Sequence, residues 1–158
     1  MLAVSRRNNS LVYGEKSGAD QLVRFESVEE ATTVIGKLTN KPVDRVIEST
    51  GAQQSLDLAT EIISESGRLI IAGYHQDGLR QINLQQWNWK GIDVINAHER
   101  DQGIYIDGLK EAVKKTEEGV LRPQELVTHF FPLNDINTAF RSLSLKPEGF
   151  LKAVIINA

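Results

Sequence analysis

The sequence predicts an α/β protein built on a parallel sheet, and three observations carry that prediction. Arg45-Val46-Ile47-Glu48 and Gly67-Arg68-Leu69-Ile70-Ile71-Ala72-Gly73 are short apolar runs of strand length. Between them, residues 53–66 carry Leu56, Leu58, Ala59, Ile62 and Ile63 at helical spacing. A helix of about four turns returns the chain to the same end of the sheet, so the two strands must run parallel, with a right-handed crossover. Strand and helix patterns alternate on both sides of this unit as well. Ligands of an open parallel sheet bind beyond the carboxyl ends of its strands, so residues 49–51 and 73–75 are expected to line one crevice.

Taken in order, Leu2-Ala3-Val4 reads as a short strand at the start of the chain, as though the sequence began in mid-fold. Asn8-Asn9-Ser10 suits an N-cap for a helix carrying Leu11 and Val12, which Gly18 closes. Gln21-Leu22-Val23-Arg24-Phe25 is the next strand. Ser27 and Glu30 form a capping box for a helix with Ala31, Val34, Ile35 and Leu38 on its inner face, ended by Asn40-Lys41-Pro42. After the central unit come an extended piece over residues 79–84, a helical turn over 85–91 and a strand over 92–97. A helix over 101–119 places Ile104, Leu109, Ala112 and Val113 inside. A strand over 126–131, a helix carrying Ile136, Ala139, Phe140 and Leu143, and a strand over 150–156 complete the chain.

Composition narrows the function. A chain of 158 residues that is 41% hydrophobic and 25% charged has the make-up of an ordinary globular protein. Its 18 basic and 21 acidic residues are interspersed, so no basic stripe tracks a nucleic-acid backbone, and none is expected as a partner. No apolar run approaches the roughly 20 residues of a membrane span and the start lacks a signal-peptide core, so a cytoplasmic protein without a membrane partner is expected. With no cysteine there is no thiolate metal site, and the three scattered histidines leave no pair at metal-ligand spacing, so this chain alone is expected to carry no structural zinc.

Several blocks together resemble the second half of zinc-type alcohol dehydrogenases, the medium-chain dehydrogenase/reductase family. They are Asp44-Arg-Val-Ile-Glu-Ser-Thr-Gly51, Gly67-Arg-Leu-Ile-Ile-Ala-Gly73, Trp89-Lys-Gly91 before a strand, and Asp135-Ile-Asn-Thr-Ala-Phe140 followed by Phe150-Leu-Lys-Ala-Val-Ile-Ile156. The resemblance implies a partial Rossmann-like parallel sheet lacking its first strand and glycine-rich loop, plus the helix and strand that return to the catalytic domain. Residues 1–100 would be the partial dinucleotide-binding domain and residues 101–158 the returning segment. No G-x-G-x-x-G occurs in the sequence. In the strand order 3-2-1-4-5-6 the missing strand would lie between Leu2-Ala3-Val4 and Arg45-Val46-Ile47, leaving two open edges. Those edges are expected to pair with each other, to swap with a second copy, or to be completed by further chain.

The resemblance also implies site residues. Ser5-Arg6-Arg7 at the end of the second Rossmann strand favours NADP over the alternative NAD, with Ser5 as hydrogen-bond donor and Arg6 as partner of the extra phosphate. The plainer reading is a solvated arginine pair. Ser49, Thr50 and Gly51 match the contact with the adenosine side, or they cap the following helix. Gly73, Tyr74 and His75 match the loop whose backbone holds the nicotinamide carboxamide, and His75 is otherwise a solvent histidine or, less simply, a base. Lys152 matches a residue reaching the pyrophosphate, or faces solvent on an edge strand. His98 and Arg100 would approach substrate, although Glu99 and Arg100 can equally be a surface pair. Trp87 and Trp89 read as core or interface anchors. No residue of this chain is assigned a catalytic or metal-ligand role, and zinc would belong to the missing half.

By the same resemblance the subunits pair as a homodimer through the pieces Leu79 to Leu84 and Ile92 to Ala97. Two functions follow. The chain is either the cofactor-binding portion of an NAD(P)-dependent alcohol or polyol dehydrogenase, inactive alone, or a non-catalytic nucleotide-binding or dimerisation module.

Overall fold

A computed structural model describes residues 1–157 as two compact units. The first comprises Met1–Arg6 and Asp20–His98, and the second Arg7–Ala19 and residues 99–157.

In the first unit, β1 (Leu2–Ser5) pairs in parallel with β2 (Gln21–Arg24). A separate three-stranded sheet holds β3 (Val43–Glu48), β4 (Ile63–Ile71) and β5 (Asp93–Asn96) in the order β3-β4-β5, again all parallel. The register Val46↔Leu69 and Ile47↔Ile70 is that of the expected crossover unit. β1 pairs only with β2, and β3 pairs on one side only, with β4, so of the outcomes expected for two open edges, direct β1-β3 pairing is not the one adopted among the described residues. Helix α2 (Val28–Thr39) starts as its capping box requires, with Ser27 Oγ accepting from the Glu30 amide at 3.1 Å. It buries Ala31 and Ile35 against Val23, Phe25 and Leu58, while Leu38, expected inside, is exposed.

Helix α3 (Gln53–Ile62) stops earlier than its apolar spacing suggests. Ile63 turns extended and opens β4, where it pairs with Val43 and is buried with Leu56, Ala59 and Leu69. Two consecutive β-branched residues suit that switch. The end of α3 is held from α4 (Leu84–Lys90): Lys90 Nζ donates to the carbonyls of Thr60, Glu61 and Ile63 at 2.8, 3.2 and 2.9 Å. A cation here satisfies orphan carbonyls and complements the helix dipole. Trp87 is anchored by a 2.9 Å bond to Thr60 Oγ1, whereas Trp89 is 86% exposed. Residues 79–83 form no strand, and Leu79, Ile82 and Leu84 are all exposed.

In the second unit, α1 (Asn8–Lys16) begins without the expected side-chain cap. Arg7 stands at the N-cap, and Asn9 donates instead to the Phe150 carbonyl at 3.2 Å. Arg7 Nη1 reaches the same carbonyl at 2.7 Å. Helix α5 (Gln102–Glu117) is capped by Asp101, whose Oδ1 accepts from the Gly103 and Ile104 amides. Its expected inner face is uncovered: Ile104, Leu109 and Val113 are each more than half exposed. Strands β6 (Val127–Pro132) and β7 (Lys152–Ile156) form a parallel pair beside α6 (Ile136–Leu145), with Phe150 the most buried residue there and its ring tilted against His129, centroids 4.8 Å apart.

Candidate functional site

The carboxyl ends of β3 and β4 are joined by a single buried carboxylate. Glu48 is the last residue of β3, and its side chain is fully enclosed. A bare carboxylate in such a place would cost several kcal/mol, so the surrounding sequence must supply donors. It does so within one turn of chain. Oε1 accepts from the Thr50 amide at 2.7 Å, the Thr50 hydroxyl at 2.8 Å and the Gly51 amide at 2.9 Å. Ser55, in the first turn of α3, lies at 2.7 Å from the same oxygen. Burial raises the Glu48 pKa, but the hydrogen bonds from Ser55 and Thr50 and from the two amides outweigh it and hold the carboxyl below its usual range. Glu48 is therefore an anion at neutral pH.

The second oxygen reaches the other loop. Glu48 Oε2 is 3.0 Å from His75 Nε2, and Arg80 Nε is 3.0 Å from His75 Nδ1. A guanidinium only donates, so Nδ1 accepts and Nε2 carries the proton that Glu48 receives, an assignment made from this network. Arg80 also donates to the Gly51 carbonyl through Nη2 at 2.6 Å, and pairs with Asp77. The hydrogen bond from Arg80 holds the Asp77 carboxyl below its usual range.

Two glycines allow the loops to approach. A Cβ on Gly73 would lie 2.3 Å from the Gly51 nitrogen and 2.5 Å from Glu48 Oε2, and one on Gly51, where φ is +74°, would lie 2.3 Å from the Tyr74 carbonyl oxygen. The Ala72 and Gly73 amides complete the junction by donating to the Glu48 carbonyl at 2.7 and 2.9 Å.

This arrangement decides what each expected residue has left to offer. The Thr50 amide and hydroxyl and the Gly51 amide serve Glu48, and the Gly51 carbonyl serves Arg80. Thr50 Oγ1 accepts from the Ala52 amide at 3.1 Å, while Ala52 itself holds the N-cap of α3 without a side-chain bond. Ser49 is exposed beside them. His75 is neither a solvent histidine nor a free base: its side chain is 18% exposed and both ring nitrogens are engaged. Tyr74 projects outward and meets His98, from the end of β5, edge to face with ring centroids 5.1 Å apart.

At the end of β1, Ser5 accepts the Phe25 amide on its carbonyl at 3.0 Å. Arg6 is not simply solvated. Its guanidinium stands over the Phe25 ring at 5.4 Å and donates to Gln54 in the first turn of α3. The first unit thus brings together residues 49–51, residues 73–75 and His98, and links Arg6 to α3. Arg100 and Lys152 belong to the second unit. Arg100 lies in the turn before α5, where its amide donates to Glu99 at 2.7 Å, and Lys152 opens β7 with its side chain exposed. Sequence reasoning missed Glu48, Ser55, Gln54, Asp77 and Arg80. The signal for Glu48 was an acidic residue closing an apolar strand directly before Ser-Thr-Gly. Among the described residues, no group of three or more His, Cys, Asp or Glu side chains is placed to hold a metal ion.

A family model described as zinc-binding dehydrogenase matches residues 1–115. Among curated proteins, an alcohol dehydrogenase from Cupriavidus necator is 23% identical over 158 residues, 98% of this chain and 42% of its own length. A 2-dehydro-3-deoxy-L-galactonate 5-dehydrogenase from Pseudoalteromonas atlantica is 25% identical over 118 residues, 75% of this chain and 33% of its own. The chain thus spans less than half the length of the curated relatives it matches. Among solved structures, zinc dependent alcohol dehydrogenase 2 from Streptococcus pneumonia superposes with a TM-score of 0.86 at 25% identity, over 99% of this chain and 44% of that one.

Proposed function

The chain belongs to the zinc-binding dehydrogenase family, and from that premise we propose that it is the carboxyl-terminal, cofactor-binding portion of an NAD(P)-dependent alcohol or polyol dehydrogenase. The observation that carries this reading is the juncture of residues 49–51 and 73–75 at the carboxyl ends of adjacent parallel strands, where open α/β sheets take their ligands. In it, Ser5 and Arg6 take the adenosine ribose and its 2′-phosphate, so that the nucleotide is NADP rather than NAD. Ser49 and the walls of Thr50 and Gly51 flank the adenosine side, and Gly73, Tyr74 and His75 the nicotinamide side, with His98 toward substrate. Lys152 and Arg100, in the second unit, keep the roles the family resemblance implies, toward the pyrophosphate and toward substrate.

The side chains present fit the adenosine end of such a ligand: Arg6 is exposed, with its guanidinium already oriented over Phe25. When bound, the nicotinamide supplies the hydride acceptor or donor. This chain's residues hold and orient it, and the Glu48 network keeps the two loops in register while doing so. Among the described residues no group of three or more His, Cys, Asp or Glu side chains is placed to hold zinc, so no step is assigned through it, and the chain alone is expected to be inactive. The reading includes a cytoplasmic location and a homodimer through Leu79 to Leu84 and Ile92 to Ala97, supported by the exposure of Leu79, Ile82, Leu84, Val94 and Ile95.

A second reading, a non-catalytic nucleotide-binding or dimerisation module, is favoured by one observation: the Thr50 and Gly51 amides, the Thr50 hydroxyl and both His75 ring nitrogens are engaged within the chain. Titration of NADPH and NADH, followed by nucleotide fluorescence, tests the proposal. Binding with a preference for NADPH that disappears in Arg6→Ala supports it. Absence of nucleotide binding rejects it in favour of an inert scaffold.

A further inference from the structure

Resting on the reading that the chain takes NADP, we propose that Gln54 is a second specificity-determining residue, a positioning residue that holds the Arg6 guanidinium where an adenosine 2′-phosphate would meet it. Arg6 directly follows β1, and its side chain is fixed on two sides. One is the face of Phe25, 5.4 Å away. Phe25 is buried in a core cluster with Val23, Ala31, Ile35 and Leu58, so the surface beneath the guanidinium is held by packing. The other is Gln54, the second residue of α3, whose Oε1 accepts from Arg6 Nη2 across 48 positions of sequence.

The chemistry of this clasp suits an anionic ligand. A guanidinium carries five N–H donors, and the Gln54 bond uses one, which leaves a fork for two phosphate oxygens. A long side chain that is already ordered has less rotamer freedom to lose when the ligand arrives. A glutamate at position 54 would hold Arg6 equally well, but its charge would neutralise the guanidinium and repel a phosphate. The neutral amide orders Arg6 without opposing the ligand. Gln54 is exposed, so its replacement leaves the core intact.

The test uses the full chain and two probes, 2′,5′-ADP and 5′-AMP, titrated by calorimetry against the wild type, Arg6→Ala, Gln54→Leu and Gln54→Glu. The expected result is that Gln54→Leu weakens 2′,5′-ADP binding by about three- to tenfold, the scale of one ordinary hydrogen bond, while 5′-AMP changes less than about twofold. Gln54→Glu should lose the preference more completely, and Arg6→Ala entirely. A merely structural role would move both probes together. If the wild type prefers 2′,5′-ADP and Arg6→Ala loses that preference while Gln54→Leu keeps or strengthens it, the positioning role is overturned. If the wild type shows no preference, and Arg6→Ala is equally flat, the NADP reading itself fails and takes this inference with it.

Discussion

Glu48 and His75, 27 positions apart, share a 3.0 Å hydrogen bond in which the imidazole donates and a fully enclosed carboxylate accepts. Replacing the carboxylate by an isosteric amide sets donor against donor, because either the His75 N–H or the amides of Thr50 and Gly51 must then face an NH2 group. Glu48→Gln should therefore cost about 2–3 kcal/mol, the range for a buried hydrogen-bonding group left with the wrong partner. Urea unfolding measures the loss, and 15N NMR of the imidazole reports its second part. In the wild type the proton sits on Nε2 of His75, and in Glu48→Gln that assignment should be lost.

The same carboxylate sets an acid limit on stability. Its pKa in the folded chain is lowered from an ordinary 4.5, so the unfolded chain binds the proton more readily than the folded one. The stability Glu48 contributes is complete above about pH 4.5 and is lost as pH falls through the lower, folded value. Urea midpoints measured from pH 7 downward should decline below that point, and the decline should be shallower in Glu48→Gln. Identical slopes in the two proteins would show that other carboxylates dominate.

Close contact between the two loops makes Gly73 far less replaceable than Gly18. A methyl group there meets backbone at 2.3 Å and a carboxylate oxygen at 2.5 Å, whereas one on Gly18 meets nothing within 4 Å. Gly18→Ala should cost only the strain of its positive φ of 95°, about 1–2 kcal/mol. Gly73→Ala should exceed that by at least about 2 kcal/mol, because backbone must shift to admit the methyl. Equal thermal shifts for the two variants would contradict the packing described here.

The main lines of this fold were legible in the residues for a physical reason: local signals and tertiary demands agree. The apolar run at Val46 and Ile47, the Ser27 capping box and the helical spacing of Leu56 and Ala59 each state one structure, and the parallel register follows from the length of the crossover. Agreement fails where distant chain decides. Ile62 and Ile63 fit a helix by spacing, yet pairing with Val43 draws Ile63 into β4. Ile104, Leu109 and Val113 make a regular apolar stripe that, among the described residues, is left largely uncovered. In the site, the loops were legible because Ser-Thr-Gly and Gly-Tyr-His follow strands. Their internal wiring was not, because the partners of Glu48 include a histidine 27 positions away, and Arg80 acts on Gly51 from 29 positions away.

Self-association should depend on an apolar surface that the first unit leaves bare. Among the described residues β5 is the last strand of its sheet and pairs only with β4, which leaves one edge of hydrogen-bonding groups open beside exposed Val94 and Ile95. Leu79 is fully exposed and Trp89 nearly so. Covering a fully exposed side chain such as Leu79 is worth about 1.5–3 kcal/mol, and the already half-covered Val94 and Ile95 add less, so together with Trp89 they would offset part of the cost of pairing. Residues 79–83 form no strand, so on this side the contact would be made by side chains rather than by a continued sheet. Light scattering at micromolar concentration should find a dimer for the wild type and a monomer for Leu79→Asp, with unchanged far-UV circular dichroism. A wild-type monomer under those conditions would reject the interface, and a Leu79→Asp dimer would move it elsewhere on the chain.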